Sequence, residues 1–359
     1  MSKTIFDPIG VDYITFACLN RNYWADKLSR LGFVRVSSAY PDNERKGMPM
    51  RLGELRILLV DPETHGKQIS YFVGIRGSMQ VLSVDIKIDS YLGALSELRA
   101  KGIGHESMLK DGVDDPFGKA WKIRLSTPSE SAFSWVLSER IKHADSYNGH
   151  DEALVSTGVD HFAVAVNDLG MWQDFYHGLG FKTIYVPKQE IKGKYSGMDT
   201  VAVQRGGWTI ALVQGIDMDR PSQVSIYVRA HGDHSIQHAA VGFDDLKGAV
   251  SRLMNQGAQF RLRRIRENPD APAVLDDVLH EGEDHSGKLL QCFTKPLKKR
   301  LIRGGFAGGF FFELIQRLRK SERPKKSGKA AFDDGTVIGL YESIEIEEEK
   351  DDRTLILPN

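Results

Sequence analysis

Residues 159–165 read Val-Asp-His-Phe-Ala-Val-Ala, and residues 11–17, 148 positions earlier, read Val-Asp-Tyr-Ile-Thr-Phe-Ala. The same offset relates Trp172 to Trp24, and a Leu-Gly-Phe tripeptide recurs with it. Each segment has the alternating pattern of a strand, followed by a helix that carries the tryptophan and a tight glycine exit. The agreement indicates that the second half of the chain duplicates the first.

A second repeat lies within the C-terminal half. His161 and His238 each stand 19 residues before a glycine, Gly180 or Gly257, and each is followed seven positions later by an aspartate. Each half therefore consists of two strand–helix–strands modules, so the whole chain contains four. We predict an α+β fold in which each pair of modules shares a curved sheet with helices packed outside.

The repeat and the local composition predict the domain boundaries. Residues 1–140 form an N-terminal domain, residues 141–157 a polar linker and residues 158–320 a C-terminal domain. Residues 321–359 continue a basic stretch, then show apolar residues at helical spacing and end in an acidic tail.

The amino-acid composition excludes several classes of protein. The chain has 359 residues, of which 41% are hydrophobic and 27% charged, as in soluble globular proteins. Lys+Arg and Asp+Glu are both 48, so no electrostatic attraction to nucleic acid or to an acidic membrane is indicated. We found no apolar run long enough for a transmembrane helix and no signal-peptide core, so a cytoplasmic location is expected. Two cysteines exclude a disulfide scaffold, whereas 11 histidines leave a histidine–carboxylate metal site open.

Three strand positions in the second half carry potential metal ligands, and their counterparts in the first half do not. The ligands are His161, His238 and Glu313, and the counterparts are Tyr13, Ser83 and Val136. Burying an unpaired carboxylate costs several kcal/mol, so Glu313, which lies in an apolar run, should meet a cation. Two imidazoles and one carboxylate form the facial triad of non-haem Fe(II) oxygenases, although zinc or another divalent metal fits the same ligands.

Four segments carry a family likeness. They are Val-Asp-His at 159–161, the run from Ser-Gln-Val at 222–224 to Ile-Gln-His at 236–238, Leu-Leu-Gln-Cys-Phe-Thr-Lys-Pro at 289–296 and Phe-Phe-Glu-Leu-Ile-Gln-Arg at 311–317. In this order they resemble the 4-hydroxyphenylpyruvate dioxygenase and 4-hydroxymandelate synthase family. The likeness covers most of the chain and is strongest from 159 to 317.

The resemblance implies a fold, a cofactor and a reaction. The fold is the vicinal-oxygen-chelate fold, with two tandem domains of paired βαβββ modules and a C-terminal lid helix. Fe(II) is bound only in the C-terminal domain, by His161, His238 and Glu313, and O₂ is the co-substrate. The implied reaction is oxidative decarboxylation and hydroxylation of an aryl 2-oxo acid, with 4-hydroxyphenylpyruvate to homogentisate as the default.

The resemblance also implies a substrate pocket. Gln223, Gln237 and Gln291 match glutamines around the substrate, and Phe293 matches an aromatic residue that packs on its ring. Because side chains alternate along a strand, Gln237 reaches the same cavity as His238 only if the strand is irregular there.

Other pocket positions depart from the family pattern. Thr200 stands where the family has serine, and Gln214 where it has asparagine. In the lid, Phe332 is kept, whereas Thr336 replaces asparagine and Val337 replaces phenylalanine. These changes alter the polar and ring contacts available to a phenol, so they leave the substrate open.

Several alternatives remain from the sequence. The enzyme could hydroxylate the benzylic carbon, as a mandelate synthase does, or take a different 2-oxo acid. A non-catalytic small-molecule binding protein and a zinc or nickel lyase or isomerase are compatible with the same fold. The expected partner is a small 2-oxo acid, without nucleic acid or membrane, and a homo-oligomer, dimer or tetramer, is expected.

Overall fold

The computed structural model describes most of the two predicted domains and a few positions of the predicted lid. The described residues are 6–36, 46–76, 79–143, 154–188, 191–193, 195–263, 272–284, 287–297, 299–302, 305–319, 337, 341 and 344. The predictions for Phe332 and Thr336 therefore lie outside the described residues.

The N-terminal half contains two βαβββ modules in one sheet. The first comprises β1 (Pro8–Cys18), α1 (Arg21–Ser29), β2 (Val34–Arg35), β3 (Met48–Leu52) and β4 (Leu55–Val60). After α2 (Pro62–His65) and α3 (Lys67–Arg76), the second comprises β5 (Met79–Ile88), α4 (Tyr91–Ala100), β6 (His105–Asp115), β7 (Gly118–Leu125) and β8 (Ser134–His143). The strand order β2-β3-β4-β1-β5-β8-β7-β6 places β1 and β5, the first strands of the two modules, side by side.

The C-terminal half repeats this plan with insertions. Its first module comprises β9 (Ser156–Val166), α5 (Leu169–Gly178), β10 (Lys182–Tyr185), β11 (Ile191–Lys192), β12 (Ser196–Arg205) and β13 (Trp208–Asp217). After α6 (Gln223–His231), the second comprises β14 (Ser235–Phe243), α7 (Leu246–Asn255), α8 (Leu275–Val278), β15 (His280–Asp284), β16 (Gly287–Phe293), the hairpin β17 (Lys299–Ile302) and β18 (Gly305–Gly308), and β19 (Phe311–Arg319). The sheet order is β10-β12-β13-β9-β14-β19-β16-β15, and β11 pairs with β12.

The repeated residues have local structural causes. The first helix of every module begins after a capping side chain that accepts a hydrogen bond from the backbone N–H three residues on; the caps are Asn20, Ser90, Asp168 and Asp245. Each of these helices is followed by a glycine with a φ between 65° and 89°; the glycines are Gly32, Gly102, Gly180 and Gly257. Glycine is favoured there because a Cβ is strained at positive φ.

Strand alternation separates the apolar core from the candidate site. On β9, Phe162 and Val164 join a core that includes residues of both halves, whereas His161 and Ala163 face a cavity on the other side of the sheet. Trp135 of the N-terminal half enters this core, with its ring centroid 5.6 Å from that of Phe162. The shared core joins the two halves and leaves one face of the second sheet for the site. Within the described residues, no helix has the length and apolar character needed to cross a bilayer.

Candidate metal centre

Three buried side chains converge on neighbouring strands of the C-terminal sheet. His161 lies on β9, His238 on the adjacent β14 and Glu313 on β19, which flanks β14 on its other side. Each histidine places its Nε2 atom 3.4 Å from Oε2 of Glu313. One potential ligand atom from each residue lies within 4.8 Å of the others, which is close enough for one ion.

Strand register explains this convergence. His161 and Glu313 both lie opposite Ala240 of the middle strand, so they flank the same point of β14. His238 lies two residues earlier on β14 and therefore points to the same face. Ala163, whose small side chain also lines the cavity, leaves room beside the three potential ligands.

An irregularity in β14 brings Gln237 into the same cavity as His238. The pairing of β14 with β9 shifts register between Ile236 and His238. A bulge of this kind lets two successive side chains face one side of a sheet. Both Gln237 and His238 line the cavity, so the strand irregularity that this placement requires is present.

A partly buried hydrogen-bond chain orients His161. Its Nδ1 atom lies 2.8 Å from Oδ1 of Asp160, and Arg317 donates to both oxygens of Asp160, from Nε at 2.9 Å and from a terminal nitrogen at 2.8 Å. With its Nδ1 proton held by the carboxylate, the imidazole presents Nε2 towards Glu313. Metal-binding histidines are commonly fixed in this way.

The pKa shifts of the three side chains show how strongly their charges interact, and the ionised carboxylate favours a bound cation. Burial by itself would raise the pKa of Glu313, but His161 and His238 outweigh it and hold the pKa at about 2. Burial would likewise lower the pKa of His161, whereas Glu313 and Asp160 raise it to about 9. Burial dominates at His238 and lowers its pKa.

The second carboxylate oxygen of Glu313 shows whether these residues are suited to a bound metal ion. Among the described residues, Oε1 of Glu313 has no hydrogen-bond partner although it is buried. A buried carboxylate oxygen without a donor is costly unless a cation satisfies it. The residues present therefore fit a divalent ion bound by two imidazoles and a carboxylate, and this donor set suits iron, manganese or zinc.

The cavity beside the triad contains most of the predicted pocket residues. Together with the three ligands, it is lined by Thr200, Gln223, Gln237, Gln291, Phe293 and Val337. The Nε2 atom of Gln237 donates to Oε1 of Gln223 at 3.1 Å. The hydroxyl of Thr200 donates to the carbonyl of Leu212 at 2.8 Å.

The structure does not place Gln214 among the residues that line the cavity. Its Oε1 atom accepts a hydrogen bond from the backbone N–H of Leu169, at the start of α5. The neighbouring Val213 lines the cavity instead, because adjacent side chains on β13 point to opposite faces. The alternation of β13 was the signal that could have identified Val213. At this place the cavity has an isopropyl group where an amide was expected.

The predicted lid contributes to the cavity from outside the sheet. Val337 and Tyr341, four residues apart and both helical, line it, and the Tyr341 hydroxyl is hydrogen-bonded to the hydroxyl of Ser196. Ile344 packs with Phe293 and Phe311. Tyr341 was missed as a lining residue, although its spacing from Val337 placed it on the same helical face.

Comparisons with known proteins agree with the fold. Residues 158–271 match the Glyoxalase/Bleomycin resistance protein/Dioxygenase superfamily. A 4-hydroxyphenylpyruvate dioxygenase of Pseudomonas aeruginosa is 25% identical over 214 residues, which are 55% of this chain and 54% of the relative. Hemolysin VllY of Vibrio vulnificus is 27% identical over 203 residues, 52% of this chain and 51% of the relative. The chain thus spans about half the length of the curated relatives it matches.

A solved structure extends the likeness to almost the whole chain. A variant of 4-hydroxymandelate synthase from Streptomyces coelicolor superposes with a TM-score of 0.72, covering 95% of this chain and 99% of that chain at 20% identity. At this identity the similarity shows the fold. The chain has the vicinal-oxygen-chelate fold, as the resemblance implied.

Proposed function

We propose that this chain, which has the vicinal-oxygen-chelate fold and relatives named as 4-hydroxyphenylpyruvate dioxygenases, is an Fe(II)-dependent 2-oxo acid dioxygenase. It would oxidatively decarboxylate and hydroxylate its substrate, with 4-hydroxyphenylpyruvate as the first candidate. The observation that carries the proposal is the buried triad of His161, His238 and Glu313, in which one carboxylate oxygen lacks a donor among the described residues.

The chain's own residues would prepare the metal site. His161, His238 and Glu313 would hold the iron, and the bound iron would supply the binding and activation of O₂ beside a chelated 2-oxo acid. Asp160 keeps the proton of His161 on Nδ1, so Nε2 stays available as a ligand. A carboxylate and two neutral imidazoles carry one negative charge, so the site would favour a cation, and this donor set suits a divalent metal.

The rest of the cavity would position and shield the substrate. Phe293 offers an apolar ring close to the triad, and the amides of Gln223 and Gln237 offer hydrogen bonds to polar substrate atoms. Val337 and Tyr341, which also line the cavity, would cover part of the substrate. Exclusion of water strengthens electrostatic interactions within the site and protects reactive species.

A different 2-oxo acid is the second candidate substrate. Val213 and Val337 give the cavity aliphatic walls where the resemblance implied an amide and a ring. This change favours a substrate with a less polar side chain than a phenol, because a buried hydroxyl without a partner is costly.

Oxygen consumption tests the proposed function. Protein loaded anaerobically with Fe(II) is mixed with aerated 4-hydroxyphenylpyruvate, phenylpyruvate or 4-methyl-2-oxopentanoate, and O₂ uptake, CO₂ release and products are followed. We expect equal O₂ uptake and CO₂ release with at least one substrate, and none with Glu313→Ala. Homogentisate and 4-hydroxymandelate as products distinguish ring from benzylic hydroxylation. Absence of substrate-dependent O₂ uptake with all three acids would overturn the proposal.

A further inference from the structure

The N-terminal half contains a buried polar cluster at the position that corresponds to the metal centre. Tyr13 lies opposite Asp85, and Asp85 lies opposite Val136. His161 and Glu313 are related in the same way through one residue of their middle strand. The register thus places Tyr13 at the counterpart of His161 and Val136 at the counterpart of Glu313.

A lysine ammonium occupies the centre of this cluster. The Nζ atom of Lys122, on β7, lies 2.9 Å from Oδ1 of Asp85 and 2.8 Å from Oδ2 of Asp115. It also donates to the hydroxyl of Tyr13 at 2.5 Å. Lys122, Asp85 and Asp115 are each at most 5% exposed. Three oxygen atoms from three different strands therefore surround one positive charge.

The position of Lys122 corresponds to a pocket residue of the other half. Lys122 pairs with Ser138, two residues beyond Val136, and Gln291 pairs with Ile315, two residues beyond Glu313. In the C-terminal half, Gln291 at this position lines the cavity. In the N-terminal half, the side chain of Lys122 occupies the corresponding position.

The charges around Lys122 balance. Asp12 bonds to Arg140 and Arg56, and Arg140 also bonds to Asp115. With Asp85 and Lys122, the cluster contains three carboxylates and three cations. Among the described residues, Lys122 is the cation that contacts Asp85, so its removal would leave one buried negative charge without compensation. The pair of Asp12 and Arg140 also repeats the pair of Asp160 and Arg317 behind the metal centre.

We propose that the ammonium of Lys122 is a built-in cation that takes the place of the metal in the N-terminal half. Its charge, more than the packing of its stem, compensates the buried carboxylates of Asp85 and Asp115 within the second module, and its hydrogen bond to Tyr13 links that module to the first. The cluster closes this half to metal and substrate. This role is independent of the reaction proposed for the C-terminal half.

Stability measurements on the full chain test the proposal. Lys122→Met removes the charge and keeps most of the volume, and Asp85→Asn added to it removes the carboxylate charge that becomes uncompensated. We expect a large fall in the thermal midpoint for Lys122→Met and recovery of most of that fall in the double variant. Lys119→Met, on the same strand, should leave the midpoint near that of wild type.

Chemical rescue gives a second measurement. In Lys122→Ala, n-propylammonium chloride should raise the thermal midpoint more than an equal concentration of tetramethylammonium chloride, because only the primary ammonium can donate to the three oxygens. The proposal is overturned by an unchanged midpoint in Lys122→Met, by a double variant no more stable than the single one, or by equal effects of the two salts. If Lys122→Met does not fold, a folded double variant supports the proposal and an unfolded one contradicts it.

Discussion

Replacing Asp160 by asparagine should weaken metal binding without removing a metal ligand. The carboxylate accepts one hydrogen bond from His161 and two from Arg317. Asparagine has one acceptor oxygen and turns an NH₂ group towards either His161 or Arg317, both of which are donors. Loss of such a partner typically lowers metal affinity 10- to 100-fold, which corresponds to about 1.4–2.7 kcal/mol. We therefore expect the Fe(II) or Mn(II) dissociation constant to rise within roughly that range.

Calorimetric titration under anaerobic conditions measures this change, and the duplicated half supplies the control. Asp12→Asn breaks the equivalent contact with Arg140 but should leave metal affinity unchanged, even though it lowers the free energy of unfolding. An unchanged dissociation constant in Asp160→Asn, or an equal change in folded Asp12→Asn, would refute the argument that the carboxylate orients His161 for the metal.

Three further predictions concern the cover, the pocket and the domain interface. Tyr341→Phe removes the hydrogen bond to Ser196 and should raise KM several-fold for an accepted 2-oxo acid, whereas the exposed Tyr71→Phe should not. Val337→Phe adds a ring to the cavity wall. It should raise the ratio of kcat/KM for aryl 2-oxo acids to kcat/KM for aliphatic ones by about 2- to 10-fold, since aromatic pairs contribute roughly 0.5–1.5 kcal/mol. An unchanged ratio would place Val337 away from the substrate. His234 lies between the two halves, where its Nδ1 atom is hydrogen-bonded to the hydroxyl of Ser131. Burial lowers the pKa of His234 well below 6.5, so below pH 6.5 the unfolded chain binds a proton that the native chain does not. Urea unfolding should show that wild type loses up to about 1.4 kcal/mol per pH unit more than His234→Gln between pH 6.5 and 5, and parallel losses would contradict this.

The fold and the convergence of three potential metal ligands could be predicted because duplication makes local signals comparable. The two halves share helix caps, glycines and strand patterns. His161, His238 and Glu313 therefore stand out, because the corresponding residues of the first half are a tyrosine, a serine and a valine. The resemblance to a known family then gave these three residues a common role. In the structure they lie on three adjacent strands.

Other features depend on exact register or on distant charges, which local patterns do not contain. A shift of one residue along β13 exchanges Gln214 for Val213 at the cavity wall. The alternation of side chains indicates that the strand must be irregular if Gln237 and His238 share a cavity, but it does not show where the bulge lies. The cluster around Lys122 is formed by residues of different strands, and none of its members lies in a motif that suggests a buried charge.

The stoichiometry of Fe(II) binding tests the central claim most directly. Anaerobic titration of the full chain, followed by metal analysis after desalting, counts the tightly bound ions. We predict one Fe(II) per wild-type chain, none in Glu313→Ala and one in Lys119→Met. Two ions per wild-type chain, or one ion retained by Glu313→Ala, would contradict a single metal centre built from His161, His238 and Glu313.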